Sequence, residues 1–263
     1  MRYLWDNSDK ITALLKSNQT KLLMLDFDGT LTPIVKPPKK ALLSSRARDI
    51  LQKLSTKQGV FLAIISGRGL EVLKERIQIP NIIYGGIHGL EGEIYTKRHL
   101  FPLSKQYFSV LTEIQNKIQA IMPGFNGALI WNKKLTLALD YRSVKQPQIK
   151  PLKTLFDKIL SAYLKNGVVS ILSGKKVWEI IPNVNWDKGS FVKLLVKQIT
   201  HTNKSIPIAI YIGDDKTDEN VFKKLGSGLT IRVGKHNHSR AKYYLKNSSD
   251  VLKFLQFLYN EIT

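Results

Sequence analysis

Apolar strands and amphipathic helices alternate along the first hundred residues. Mostly apolar runs at residues 21–25, 60–65 and 81–84 predict three buried strands. Between them, apolar residues recur at helical spacing and predict helices over residues 45–57 and 70–77. Continuous apolar strands that alternate with helices are typical of a parallel sheet covered on both faces.

The pattern changes near residue 104. A helix, a hairpin, a second helix and a second hairpin are predicted at residues 104–122, 128–142, 148–164 and 168–181. The first rhythm then returns, with helices and strands predicted at residues 188–200, 206–212, 217–225, 229–233 and 249–261. We therefore predict an α/β fold with a doubly wound, mainly parallel (Rossmann-like) core sheet. Residues 1–103 and 184–263 form this discontinuous core, and residues 104–183 form an inserted α+β domain.

Composition narrows the possible partners. The chain has 41 Lys and Arg against 20 Asp and Glu, a net charge of +21. This excess favours anionic partners such as nucleic acid, membrane headgroups or phosphorylated metabolites, and the alternative is a lysine-rich solvated surface. The absence of cysteine excludes disulfides and thiolate metal sites and fits a cytoplasmic location. No apolar run approaches the roughly 20 residues of a membrane span, and Asp6 and Asp9 argue against a secretory signal.

Three polar clusters follow predicted strands, at residues 26–30, 66–68 and 213–219. Ligands bind at the carboxyl ends of the strands in an open parallel sheet. Asp26 and Asp28 are two residues apart, so an extended backbone directs both carboxylates to one side. Two such carboxylates repel, and either one is protonated or a cation lies between them. With Asp214 from another strand end, they predict an oxygen-rich pocket suited to Mg²⁺.

Simpler interpretations exist for each cluster. Asp28-Gly29 could be only a turn, and Thr217 with Asp218 could only begin a helix. Lys188 is predicted at a helix start, where a cation is disfavoured, so it could hold an anion there or be a solvated loop residue. Because three clusters coincide at three strand ends, we favour the functional interpretation.

The motifs resemble those of a known superfamily. Residues 26–31 look like the first motif of the haloacid dehalogenase superfamily of phosphatases, and the later motifs match in order at Ser66, Lys188 and residues 213–215. The insertion resembles that superfamily's α/β cap of the second type. Three segments narrow the resemblance to the trehalose-6-phosphate phosphatases, namely residues 66–68, 86–91 and 213–219.

The resemblance implies Mg²⁺-dependent hydrolysis of trehalose 6-phosphate to trehalose and phosphate through an aspartyl-phosphate. It implies that Asp26 is the nucleophile, that Asp28 is the general acid and base, and that Lys188 offsets transition-state charge. The phosphate-binding residues would be Thr30, Ser66, Gly67 and Lys188. The metal ligands would be Asp26, the backbone carbonyl of Asp28, Asp214 and either Asp218 or Asp215.

The inserted domain would be a cap that selects the substrate, and it departs from the family pattern. The substrate-binding residues implied by the resemblance are Arg68, His88, Gly89, Glu91, Lys133, Arg142 and Glu179. Trp131, Asp140 and Ile181 stand where the family has Glu, His and a basic residue. The alternative substrate is therefore another small sugar or glycoside phosphate, such as glucosylglycerol phosphate or mannosylglycerate phosphate.

A different class of function is a basic nucleic-acid-binding module with polynucleotide phosphatase activity. The charge supports it, but the predicted cap has no aromatic-rich binding sheet or other nucleic-acid motif. We therefore expect a small phosphorylated sugar as the substrate, no nucleic-acid partner, no membrane association and a monomer.

Overall fold

The computed structural model describes residues 1–17, 19–35 and 40–262. The chain forms two compact units. The first comprises Met1–Leu100 and Trp186–Thr263, and the second comprises Phe101–Asn185.

The first unit is built on a nine-stranded sheet. Its strands are β1 (Arg2–Tyr3), β2 (Lys21–Leu25), β3 (Val60–Ile65), β4 (Ile82–Gly86), β5 (Glu91–Ile94), β6 (Lys97–Leu100), β11 (Ile208–Gly213), β12 (Leu229–Val233) and β13 (Tyr243–Leu245). Their order is β1-β13-β12-β11-β2-β3-β4-β5-β6. All neighbours pair in parallel except β4 with β5 and β5 with β6, which are antiparallel. The predicted mainly parallel α/β fold is confirmed.

Helices cover both faces of this sheet. They are α1 (Ser8–Leu15), α2 (Ser45–Ser55), α3 (Leu70–Ile77), α6 (Lys188–Asn203), α7 (Asp218–Leu225) and α8 (Ser248–Glu261). Strand β2 shows the arrangement, because Leu23 belongs to the apolar core that includes α1, α2, α3 and α8, while Met24 belongs to the core that includes α6 and α7. Strands buried on both faces need apolar residues at successive positions, which explains the mostly apolar runs in the sequence.

The second unit has one antiparallel sheet and two helices. The strands are β7 (Leu129–Asn132), β8 (Leu137–Asp140), β9 (Val169–Gly174) and β10 (Val177–Pro182), in the order β7-β8-β10-β9. The helices α4 (Lys105–Ile121) and α5 (Gln146–Lys165) share one apolar core with the sheet, which includes Phe156, Trp178 and Ile180.

Several short strands differ from the predicted pattern. The sequence does not predict the hairpin β5–β6, the edge strand β1 or its neighbour β13, because these segments are short and mostly polar or aromatic. The glycine-rich stretch after residue 84 begins as strand β4, which runs to Gly86. The second hairpin of the inserted unit turns at residues 175–176, since Gly174 still pairs with Val177. Across the ranges that the structure describes, every helix is too short or too polar to span a bilayer.

Candidate active site

Three buried carboxylates meet at the carboxyl ends of β2 and β11. Asp26 directly follows β2, Asp214 directly follows β11, and Asp218 is the first residue of α7. Each offers an oxygen atom, and these oxygens lie within 4.8 Å of one another. The backbone N–H of Asp26 donates to the carbonyl of Ile212 at 2.9 Å, so the ladder between the two strands continues into the site.

Lys188 lies between two of these carboxylates. It is the first residue of α6 and is only 2% exposed. Its Nζ donates to Asp26 Oδ1 and to Asp218 Oδ1, both at 2.7 Å. Asp187 caps the same helix by accepting from the Ser190 N–H at 2.8 Å. The lysine predicted at a helix start is therefore a buried ion-pair partner and not a solvated loop residue.

Packing around Phe191, in the first turn of α6, sets where this helix begins. An added Cβ on any of three glycines would lie within 2.6 Å of a Phe191 carbon atom, and these glycines are Gly85, Gly89 and Gly92. Such distances are below any real Cβ contact, so only glycine at these positions leaves room for the ring. Because Phe191 follows Lys188 by three residues in the same helix, the packing of Phe191 against these glycines also fixes the position of Lys188.

The charges of the cluster are strongly coupled. Burial raises the pKa of Asp26 well above its ordinary value; the Asp218 and Asp214 carboxylates add to this rise, and the Lys188 ammonium opposes it. Burial also acts to raise the pKa of Asp218, but Lys188 and the hydroxyl of Tyr211 outweigh it, and that pKa is lowered. Burial acts to lower the pKa of Lys188, yet Asp218 and Asp26 raise it well above its usual range. Burial and Asp218 raise the pKa of Tyr211, so its hydroxyl stays protonated.

This donor set fits a divalent metal ion. Carboxylate oxygens are hard ligands that Mg²⁺ prefers, and the carboxylates of the cluster outnumber its ammonium by two. The loop after β2 packs directly on Asp214, because an added Cβ on Gly29 would lie 2.3 Å from Asp214 Oδ2. Gly29 also has a φ of +88°, which favours glycine. The loop after β2 therefore needs glycine both for its turn and for its contact with Asp214.

Asp28 and Arg68 form an ion pair beside this cluster. Arg68 donates from Nε and Nη2 to the two oxygens of Asp28, at 2.6 Å and 2.7 Å. The Arg68 backbone N–H also donates to Ser66 Oγ at 3.2 Å. The first and second predicted motifs are therefore in contact, because Arg68 is hydrogen-bonded to Asp28, a predicted catalytic residue.

The segment at residues 85–89 lies along the Ser66 loop. Ser66 N–H donates to the Gly85 carbonyl at 2.9 Å, and His88 N–H donates to the Ser66 carbonyl at 3.0 Å. An added Cβ on Gly67 would lie 2.6 Å from the His88 ring, so these two predicted site residues pack directly against each other. Trp186 Nε1 donates to the Gly89 carbonyl at 2.7 Å.

Glu91 is hydrogen-bonded within the protein, whereas the Thr30 hydroxyl has no partner in the described ranges. Glu91 Oε1 accepts from the Leu70 N–H at 2.7 Å, so one oxygen of this predicted sugar ligand caps the first turn of α3. Thr30 is fully buried in the loop after β2, and its hydroxyl has no hydrogen-bond partner within the described ranges. A buried hydroxyl of this kind can serve a ligand oxygen.

The predicted cap residues lie in the second unit. Glu179, on β10, is 5% exposed, and its Oε1 accepts from Lys133 Nζ at 2.8 Å and from Thr136 Oγ1 at 2.7 Å. Asp140 Oδ1 accepts from the backbone N–H of Arg142 at 3.0 Å and lies 3.6 Å from its Nε. Lys133 and Glu179 are therefore one pair, and Asp140 orders the turn that carries Arg142.

Some contacts had no counterpart in the sequence prediction. Tyr211 looks like an ordinary core residue of an apolar strand, yet its hydroxyl donates to Asp218 Oδ1 at 2.6 Å. The only local sign was a polar atom in an aliphatic strand three residues before Asp214. Thr217 immediately precedes α7, but its side chain makes no capping hydrogen bond. Asp218, treated as an alternative to Asp215 for the metal, is the one that joins the buried cluster.

The fold is shared with known hydrolases. A haloacid dehalogenase-like hydrolase from Bacteroides thetaiotaomicron superposes with a TM-score of 0.65 at 18% identity, over 91% of this chain and all of that chain. This likeness shows that the chain has the fold of the haloacid dehalogenase-like hydrolases. The family model described as trehalose-phosphatase matches residues 24–249. The chain belongs to the trehalose-phosphatase family, and the resemblance drawn from its motifs is confirmed.

Individual relatives agree with this assignment. Trehalose-phosphate phosphatase B of Arabidopsis thaliana is 32% identical over 263 residues, which cover 95% of this chain and 69% of the relative. The C-terminal domain of C. albicans trehalose-6-phosphate phosphatase has the same fold, with a TM-score of 0.83 and 23% identity over 97% of this chain and 98% of that one. Trehalose-6-phosphate phosphatase from Aspergillus fumigatus is 26% identical, with a TM-score of 0.65 over 96% and 97% of the two chains.

Proposed function

We propose that this protein is a Mg²⁺-dependent phosphoric monoester hydrolase that converts trehalose 6-phosphate to trehalose and phosphate. The observation that carries the proposal is the buried cluster of Asp26, Asp214 and Asp218 with Lys188 hydrogen-bonded to two of them. Membership of the trehalose-phosphatase family and the names of the relatives support the choice of substrate.

Asp26 is the nucleophile in this proposal. Its carboxylate attacks phosphorus, the bond from phosphorus to the sugar oxygen breaks, and an aspartyl-phosphate forms. Water then attacks that phosphorus and releases inorganic phosphate, which restores the carboxylate. Bound Mg²⁺, held by Asp26, Asp214, Asp218 and the Asp28 carbonyl, would supply positive charge that screens the phosphate from the carboxylates.

Lys188 has one hydrogen-bond donor left for the phosphoryl group. An ammonium has three N–H donors, and Asp26 and Asp218 accept two of them. The third donates to a phosphoryl oxygen and stabilises the charge that develops there. The buried hydroxyl of Thr30 and the Ser66 loop bind the other phosphoryl oxygens.

Asp28 moves the proton. It protonates the leaving sugar oxygen in the first step and accepts a proton from the attacking water in the second. Because Arg68 bonds both of its oxygens, this role requires Asp28 to exchange part of that contact for one with the substrate. Arg68 therefore orients Asp28 before the substrate binds.

The second unit acts as the cap that selects the sugar. Lys133, Arg142 and Glu179 bind hydroxyls of that sugar. The ion pair between Lys133 and Glu179 and the turn that carries Arg142 provide donors and acceptors suited to a polyol. Trp131 and Asp140 replace residues usual in the family, so glucosylglycerol phosphate and mannosylglycerate phosphate belong in the substrate panel.

The test is phosphate release from a panel of sugar phosphates, with Mg²⁺ and with a chelator. Trehalose 6-phosphate should be the best substrate, and the chelator should abolish its turnover. Asp26→Asn should lose at least about 10³-fold in kcat, whereas the matched variant Asp49→Asn, at an exposed position of α2, should keep full activity. A folded Asp26→Asn variant with more than about a tenth of wild-type activity would contradict the covalent mechanism.

The cytoplasmic location and the monomeric state remain predictions from the sequence. Cell fractionation tests the first, and light scattering coupled to size-exclusion chromatography tests the second.

A further inference from the structure

Tyr211 contacts the proposed catalytic cluster from inside the core. It lies on the central strand β11 with no exposed surface, on the sheet face covered by α6 and α7. Its hydroxyl donates to Asp218 Oδ1 at 2.6 Å, and Lys188 Nζ donates to the same oxygen at 2.7 Å. A phenol and an ammonium therefore share a single carboxylate oxygen.

Two further contacts hold the Asp218 carboxylate in place. Its Oδ2 accepts from the Asp215 N–H at 2.8 Å. An added Cβ on Gly213 would lie 2.3 Å from the Asp218 carboxyl carbon, so the carboxylate packs against the backbone of β11. Tyr211 holds the one oxygen that also receives the lysine. The position of Lys188 relative to Asp218 Oδ1 therefore depends on the hydrogen bond from the Tyr211 hydroxyl.

The other buried tyrosines in the described part of the chain have a different role. Tyr84 donates to the Ile79 carbonyl at 3.2 Å, and Tyr107 donates to the Leu135 carbonyl at 2.7 Å. Both satisfy backbone groups, as buried hydroxyls usually do. Tyr211 instead bonds a charged side chain that is one step from the proposed nucleophile, because Lys188 links Asp218 to Asp26.

We propose that Tyr211 is a positioning residue for phosphoryl transfer, which acts by sharing Asp218 Oδ1 with Lys188. This inference rests on the function proposed above. When the phenol occupies one acceptor position, Asp218 holds the ammonium at a defined place between itself and Asp26. Without the phenol, Asp218 Oδ1 has only Lys188 as a donor. The ammonium then moves toward Asp218, away from Asp26 and from the phosphoryl oxygen that its third N–H would reach.

The kinetic test compares Tyr211→Phe with the matched variant Tyr84→Phe. Each removes one buried hydroxyl from a strand of the same sheet, and each keeps the ring. With trehalose 6-phosphate and saturating Mg²⁺, Tyr211→Phe should lower kcat about tenfold, the size expected for a hydrogen bond to a charged group. KM should stay within about twofold, because the hydroxyl does not touch the substrate. Tyr84→Phe should keep wild-type kcat even if its stability falls as much.

Crystal structures of the wild type and Tyr211→Phe give a readout that does not depend on activity. The distance from Lys188 Nζ to Asp26 Oδ1 should increase beyond hydrogen-bond range in the variant and stay near 2.7 Å in the wild type. An unchanged lysine position, or a displaced lysine with wild-type kcat, would overturn the inference. If the wild type hydrolyses no phosphomonoester, the proposed function fails, whereas an unmoved lysine in the variant counts against Tyr211 alone.

Discussion

Gly189 controls how closely the first turns of α6 and α7 approach each other. An added Cβ at this position would lie 2.7 Å from the Asn220 carbonyl oxygen and 2.8 Å from Lys224 Cδ. The lysine carbon can move aside, but the backbone carbonyl of α7 cannot. Ordinary contact begins near 3.4 Å, so Gly189→Ala should separate the two turns by about 0.7 Å, the difference between 3.4 Å and 2.7 Å.

This separation should act on the neighbouring ion pair. Lys188 is the first residue of α6 and Asp218 is the first residue of α7, and their contact is 2.7 Å long. Stretching it toward about 3.4 Å breaks a good hydrogen bond. A displacement of about 1 Å can cost roughly 10²-fold in rate, so we expect Gly189→Ala to lower kcat between about tenfold and 100-fold.

The variant should nevertheless fold. Alanine in a helix is favoured over glycine by about 1 kcal/mol, and overpacking costs about 1–3 kcal/mol. The net loss of at most about 2 kcal/mol is small against a typical unfolding free energy of about 5–15 kcal/mol. Urea unfolding measures the stability, and steady-state phosphate release from trehalose 6-phosphate measures kcat. Gly124→Ala is the matched control, because its added Cβ meets nothing within 4 Å. Wild-type kcat in a folded Gly189→Ala variant would refute this account of the helix contact.

Three further predictions concern charge. Lys188→Ala should lower kcat/KM about 10²-fold or more. Raising the salt concentration should lower kcat/KM only a few-fold, because salt screens the charge of the +21 surface. Loss of all activity by salt alone would point to a polyanionic substrate. Glu179→Ala and Arg142→Ala should impair trehalose 6-phosphate turnover far more than that of a small aryl phosphate, and equal losses would mean that both residues only stabilise the cap. Burial acts to raise the pKa of Asp250, but hydrogen bonds from the Lys246 N–H, a tryptophan and a tyrosine lower it. Asp250→Asn should therefore cost stability at pH 7, in a difference that shrinks as the pH falls below about 4, measured by urea unfolding at both pH values.

Local patterns predicted the architecture because they report burial directly. Strand β2 lies between two helical layers, and the uninterrupted apolar residues at positions 22–25 indicate this without any structure. The polar clusters at residues 26–30 and 213–219 interrupt such runs where the strands end. Together with residues 66–68, 86–91 and Lys188, these clusters carried the resemblance to the family, which is confirmed.

Short polar elements were not predictable in the same way. Strand β6 has the sequence Lys-Arg-His-Leu, and it is a strand only because β5 offers it an edge with which to pair. Glu91 shows the same limit for a side chain. Its motif indicated a sugar ligand, yet one oxygen caps α3, which begins 21 residues earlier in the chain. Edge pairing and capping of this kind depend on which elements become neighbours.

The sequence by itself therefore determined the fold class, the family and the chemical groups of the site. Only the tertiary structure decided how those groups contact one another. Lys188 and Asp26 are 162 residues apart in the chain. They meet because three glycines leave room for Phe191, whose packing positions the start of α6. In the sequence, Tyr211 looks like any other buried strand residue. Only the packing of α7 brings Asp218 within hydrogen-bond distance of its hydroxyl. Periodicity reports whether a side chain is buried, whereas the packing of distant elements decides which polar atom it finds there.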